Sequence, residues 1–227
     1  MKIAAWAALV GCLSLPSLAR GVMLDTFDTS TMPSIMLAGP ASAQFVDDPA
    51  ASVVGARRDT TVTTTAATNM INSIRFEILA GQANYGSGPM ADGAVDLFYD
   101  GPTLATDLGE AVKAFQVEFM SFDDGFGFGM DVTATVDSAG GSAVLTRHLV
   151  GSTLGPFSLS FALSDFSNVG AIDLSALQSI RFEFEPMRGQ DFQLTAVEAY
   201  VVPEPACWRL GSMALFGLLA GWYRRRR

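Results

Sequence analysis

Ile180-Arg181-Phe182-Glu183-Phe184-Glu185 alternates apolar and charged side chains without a break. Successive side chains of a strand point to opposite faces, so the isoleucine and two phenylalanines face one way, the arginine and two glutamates the other. The stretch therefore predicts a strand with one face in a core and one in water. The same reading applies to Ile74, Phe76 and Ile78 against Arg75 and Glu77, and to Phe115, Val117 and Phe119 against Gln116 and Glu118. Further strands are expected at 60–66, 94–99, 130–136, 143–150, 157–163 and 192–201. Between them lie turn formers such as Gly86-Ser87-Gly88-Pro89, Asp100-Gly101-Pro102 and Ala139-Gly140-Gly141. No segment carries a long helical pattern. About nine or ten short strands joined by such turns predict an all-β fold, a two-sheet antiparallel sandwich of jelly-roll type, rather than a parallel α/β sheet. Ser-Ile-Arg-Phe-Glu occurs at both 73–77 and 179–183, but the flanks differ, so two strands meet one pattern requirement and no duplication is inferred.

The two ends of the chain are of another kind. Met1-Lys2, an apolar run from Ile3 to Leu15 and small residues at Ser17 and Ala19 have the layout of a secretory signal peptide cut by signal peptidase after Ala19. Leu9-Val10-Gly11-Cys12 also has the form of a lipoprotein box, although the apolar run continues past it. At the other end Pro203-Glu204-Pro205 precedes an apolar stretch, then Arg224, Arg225, Arg226 and Arg227. A helix over 206–223 rises about 27 Å at about 1.5 Å per residue, close to the roughly 30 Å of a bilayer's hydrocarbon core if Arg209 snorkels. Trp208, Trp222 and Tyr223 suit the two interfaces, and the arginines predict a cytoplasmic end with the body outside. A buried soluble helix would carry a polar stripe, whereas the interruptions here are the small residues Gly211, Ser212, Gly217 and Gly221.

Export signal, Pro-Glu-Pro, short helix and basic cluster in that order resemble the PEP-CTERM proteins of bacteria. The resemblance covers about 25 residues and implies a sorting signal at Pro203, Glu204 and Pro205, read by an exosortase-type membrane protease. Two prolines hold this segment extended and out of both the preceding strand and the helix, which suits protease access. The expected organisation is a signal peptide (1–19), a β-sandwich body (20–202) and a sorting tail (203–227). The expected location is the inner membrane before processing, then the cell surface or extracellular space.

The body, residues 20–202, has 183 residues, enough for one domain with a core. It carries 22 acidic residues against 8 basic ones, which excludes nucleic acid and anionic lipid headgroups as partners. Cys12 and Cys207 are the only cysteines and both fall outside it, so its stability must come from packing.

Catalytic signals are sparse. The single histidine, His148, alternates like an outward-facing strand residue, and no cysteine nucleophile, GxSxG, phosphate loop or zinc-ligand set is present in the body. None of the possible carboxylate pairs stands out as a glycosidase pair. Asp123-Asp124-Gly125-Phe126-Gly127-Phe128-Gly129 predicts a turn, its phenylalanines either packed inward or forming an aromatic patch. The acidic opening and closing segments of the body resemble those of galactose-binding-like jelly rolls among carbohydrate-binding modules. That likeness implies a structural calcium ion held by Asp25, Asp28, Asp191 and Glu198, the one cofactor the sequence suggests. Tyr85, Phe98, Tyr99, Phe126 and Phe128 are the aromatic candidates for contact with a glycan. The leading expectation is a non-catalytic envelope or matrix protein, with extracellular polysaccharide as a partner. A carbohydrate-binding module and a secreted glycan-active hydrolase are the alternatives.

Overall fold

A computed structural model describes residues 20–28, 34–39, 42–48, 53–55, 57–66, 71–108 and 112–201. The expected signal peptide, with Cys12, and the sorting tail lie outside them. Thirteen strands form among the described residues: β1 (Arg20–Asp25), β2 (Ile35–Leu37), β3 (Ser42–Asp48), β4 (Arg58–Ala66), β5 (Ile74–Leu79), β6 (Gln82–Ser87), β7 (Asp92–Asp100), β8 (Val112–Asp123), β9 (Met130–Ser138), β10 (Gly141–Leu149), β11 (Phe157–Ala162), β12 (Leu177–Pro186) and β13 (Asp191–Val201). One short α-helix, α1 (Leu104–Leu108), follows β7, and three single 3-10 turns lie between β11 and β12. Among the described residues no helix is long and apolar enough to cross a membrane.

All strand pairs are antiparallel, in two sheets. The seven-stranded sheet runs β11-β8-β13-β6-β5-β2, with β1 also on β13; the six-stranded sheet runs β10-β9-β12-β7-β4-β3. From β6 onward the chain crosses repeatedly between the sheets, as in a jelly roll. The sandwich is the expected fold, with thirteen strands where nine or ten were counted. The additional strands are β1, β2, β3 and β6. In β6 only Ala83 and Tyr85 are apolar and buried, and its Gly86-Ser87 end has the composition of a turn. Pairing with β5 on one side and β13 on the other makes it a strand despite weak propensity.

The two copies of Ser-Ile-Arg-Phe-Glu fall in different sheets, in β5 and β12, and play the same part in each. Ile74 and Phe76, like Ile180 and Phe182, are buried. Outside, Arg75 pairs with Glu77 at 2.6 Å, and Arg181 with Asp96 at 2.8 Å. Between the sheets Phe182 meets Tyr99, Phe115 and Phe161 edge-on, and Phe192 stacks on Tyr85 and Phe184.

Strand β13 gives the molecule its axis. Its last residues pair with β1, Val201 opposite Arg20, so the described body begins and ends at one pole. Its first residue, Asp191, lies opposite Asp123 at the other pole, roughly 35 Å away along eleven residues at about 3.3 Å each. At this second pole the loops after β6, β8, β10 and β12 meet.

Candidate functional site

Four strands of the seven-stranded sheet bring outward side chains into two adjacent rows at the loop pole. Glu77, Asn84, Gln193 and Ser121 stand opposite one another across β5, β6, β13 and β8. Arg75, Gly86, Asp191 and Asp123 form the next row. Together they line a groove of about 330 Å³, with Leu154 at its rim. Three inter-strand spacings of about 4.8 Å make each row roughly 14 Å long. Gly86 keeps the floor open: a Cβ there would stand 3.1 Å from Asp191 Oδ1. Arg75 donates to Glu77 Oε2 and to Ser34 Oγ, so the one arginine among the described residues of the groove is already engaged. Burial, and then the charge of Asp123, raise the Asp191 carboxyl above its ordinary range, while the Ser87 N–H opposes the shift. Asp123 is held low by the Gly125 N–H and the Ser152 hydroxyl.

The loop between β8 and β9 is the turn expected from its Asp and Gly content, and it settles where the phenylalanines go. Phe126 and Phe128 stand 58% and 54% exposed, their rings 6.3 Å apart. They are the aromatic patch, not core. What anchors the loop is a buried polar hub that sequence reading missed. Asp124 Oδ1 accepts from the Gly129 N–H and Gln190 Nε2, and Asp124 Oδ2 from the Gly151 N–H, each at 2.7 Å. Gln190 Nε2 also donates to the Gly129 carbonyl, and Gln190 Oε1 accepts from the Met187 N–H. The single sequence signal is Asp124 at the head of a run carrying Gly125, Gly127 and Gly129; its partner lies 66 residues away.

Of the other aromatic candidates, Tyr85 and Tyr99 are not available to a glycan. Tyr85 is buried with its ring on Phe192, and burial raises its hydroxyl far above the ordinary range. Tyr99 is buried and donates to Asp25 Oδ2 at 3.1 Å. Both occupy inward positions of their strands, where an apolar ring is worth more than a solvent-facing one. Phe98, the residue before Tyr99, faces outward and is half-buried.

The four carboxylates named for calcium are not brought together. β1 and β13 are neighbours as that reading required, but the register sets Asp25 opposite Val197, roughly 20 Å along β13 from Asp191 at about 3.3 Å per residue. Asp25 instead turns into the core and accepts from Arg58 Nη1 at 2.6 Å, from Tyr99 and from the Phe27 N–H. Burial pushes its carboxyl up, with the Arg58 charge pulling the other way. Asp28 is exposed, and Glu198 sits on the solvent-facing side, its carboxyl raised by partial burial and by Glu118. Among the described residues no group of three or more His, Cys, Asp or Glu is placed to hold a metal ion.

His148 faces outward as expected, Nδ1 lying 2.6 Å from Asp131 Oδ1. It belongs to a second groove, of about 380 Å³, on the outer face of the six-stranded sheet at the same pole.

The chain matches no protein-family model and no curated protein sequence. Among solved structures it is similar to a family 11 carbohydrate-binding module of a cellulosomal cellulase of Clostridium thermocellum, at 13% identity and a TM-score of 0.40, over 83% of this chain and 99% of that one. The solution structure of the module CtCBM11 gives 15% identity and a TM-score of 0.43, over 84% of this chain and all of that one. An agarase, AgWH50C, gives 10% identity and a TM-score of 0.39, over 81% of this chain and 25% of that one.

Proposed function

We propose that the body is a non-catalytic glycan-binding sandwich, and that the groove across β5, β6, β13 and β8 holds a polysaccharide with no acidic groups. The observation that carries this reading is the pair of cross-strand rows, seven of whose eight positions bear polar side chains while Gly86 leaves the floor flat. Sugar hydroxyls both donate and accept, so a surface mixing the amides of Asn84 and Gln193 with the carboxylates of Glu77, Asp123 and Asp191 can bond them at several points. A row of roughly 14 Å accommodates about three pyranose units. Three carboxylates against one engaged arginine disfavour uronic or sulfated chains, through repulsion and desolvation.

Affinity electrophoresis of the full chain through gels containing neutral glucans, mannan or agarose, with alginate as the acidic control, tests this. Retardation by a neutral polymer and none by alginate is the expected result, with no release of reducing ends. Gln193→Ala and Asn84→Ala are each expected to weaken binding about tenfold, the equivalent of about 1.4 kcal/mol for a hydrogen bond lost. Reducing ends released at a rate that tracks Asp123 or Asp191 would favour a hydrolase instead.

The body is exported and held by its tail until that tail is processed. This part of the proposal rests on the sequence of the two ends and on their resemblance to PEP-CTERM proteins. The pole at which the described body begins and ends lies opposite the loop pole, so a body tethered there presents both grooves away from the membrane. Intact-mass measurement of the surface form is expected to show loss of residues 1–19 and of the arginine-tipped helix. A surface form still ending in Arg227 would refute the sorting role.

A further inference from the structure

The second groove has the parts of a binding site in an arrangement unlike the first. Across β12, β9 and β10, Glu185, Asp131 and His148 stand directly opposite one another and face outward. Phe128 and Met187, both about half-exposed and in the loops next to β9 and β12, line the same groove, with Thr65 and Gly93. Gly129 lets imidazole and loop approach: its φ is +76°, and a Cβ there would come within 2.6 Å of both His148 Nε2 and the Leu149 carbonyl.

Two features of this groove call for an occupant. Phe128 is held in water by a rigid support, since the Asp124 and Gln190 hub bonds the backbone of Gly129, the residue beside it. An apolar ring kept exposed on a preorganised loop is a ready stacking platform for the apolar face of a sugar ring. In the same groove, Asp131 and Glu185 are like charges directly opposite on neighbouring strands, an arrangement that costs stability in a sheet. Among the described residues Glu185 has no hydrogen-bond or ion-pair partner, and burial, Glu183 and Asp131 raise its carboxyl. Asp131 and Glu185 offer acceptors to hydroxyls, and His148, with Nδ1 on Asp131, leaves Nε2 for a ligand.

We propose that this groove is a second saccharide site, in which a pyranose ring without acidic groups stacks on Phe128 and bonds Asp131, Glu185 and His148. The proposal rests on the saccharide reading of the first groove only for the class of ligand; no residue named in this second site lines the first. Two grooves on opposite sheets of one body make the chain bivalent, able to join two polysaccharide strands.

Calorimetric titration of the full chain with hexasaccharides of neutral β-1,4-glucan, β-1,3-glucan, β-1,4-mannan and agarose type, and with a galacturonic hexamer, tests the proposal. Two equivalents of a neutral hexamer are expected to bind, falling to one in Phe128→Ala, to one in the double variant Asn84→Ala/Gln193→Ala, and to none in the combination. Phe128→Tyr is expected to restore the second equivalent, and unchanged melting midpoints show that each variant is folded. Binding of one equivalent that Phe128→Ala leaves untouched overturns the second site while the first stands. Binding lost only in Phe128→Ala overturns the first and keeps the second. One equivalent abolished by either change means a single continuous site and overturns the proposal, and no binding to the unaltered chain overturns both.

Discussion

Phe182→Ala is expected to lower the free energy of unfolding by about 3–5 kcal/mol, the usual cost of emptying a buried phenylalanine site. Phe182 lies on β12 in the middle of the six-stranded sheet and is fully buried. Its ring meets Phe161, Phe115 and Tyr99 at centroid distances of 5.8, 6.3 and 6.4 Å, so truncation removes edge-on contacts from three other rings at once. The strands on either side pin the backbone and limit how far the cavity collapses. One residue on, Glu183 points to solvent, 3.6 Å from Arg181. Glu183→Ala is expected to change stability by no more than about 0.5 kcal/mol. Urea denaturation of the two variants beside the unaltered chain measures both; equal losses would mean that the inward and outward faces of β12 are misassigned.

Removing the carboxylate of Asp25 is expected to cost as much, by a different route. Arg58 is 1% exposed, and its guanidinium, 5.6 Å from the Phe27 ring, bonds Asp25 at 2.6 Å. Asp25→Ala withdraws that carboxylate from a buried cation and is expected to destabilise by about 3–5 kcal/mol. Replacing both partners with apolar residues, as in Asp25→Leu with Arg58→Met, is expected to recover part of the loss, because the cation that Asp25 compensates is removed with it. Denaturation midpoints of the single and double variants decide the matter. A double variant no more stable than Asp25→Ala would show that the loss comes from the Tyr99 hydroxyl and the Phe27 N–H left without their acceptor, not from the buried charge.

The sandwich was legible in the sequence wherever one face of a strand is buried and the other wet. Ile180 to Glu185 and Ile74 to Ile78 announce their faces because alternate burial selects alternate residue types. β6 was not legible. Its neighbours on both sides supply the hydrogen bonds that its own composition does not favour, and with the strand missed, the inward direction of Tyr85 was missed too. Tyr99 and Asp25 show the same limit from the other side. A polar tip on an inward position signals nothing by itself, and only the meeting of β1, β4 and β7 side chains in the core pairs the Tyr99 hydroxyl and the Arg58 guanidinium with one carboxylate. The outward polarity of Glu77, Gln193 and Asp131 could be read from period-two alternation, but not their neighbours. Rows such as Glu77, Asn84, Gln193 and Ser121 join positions more than 100 residues apart, and register across a sheet is set by the packing of whole strands. The sequence by itself determined the alternating strands, the lack of cysteine in residues 20–202 and their excess of acidic over basic side chains. Only the tertiary structure decided which side chains share a groove, because contact between strands distant in the chain depends on sheet order and register, and neither is encoded in any local pattern.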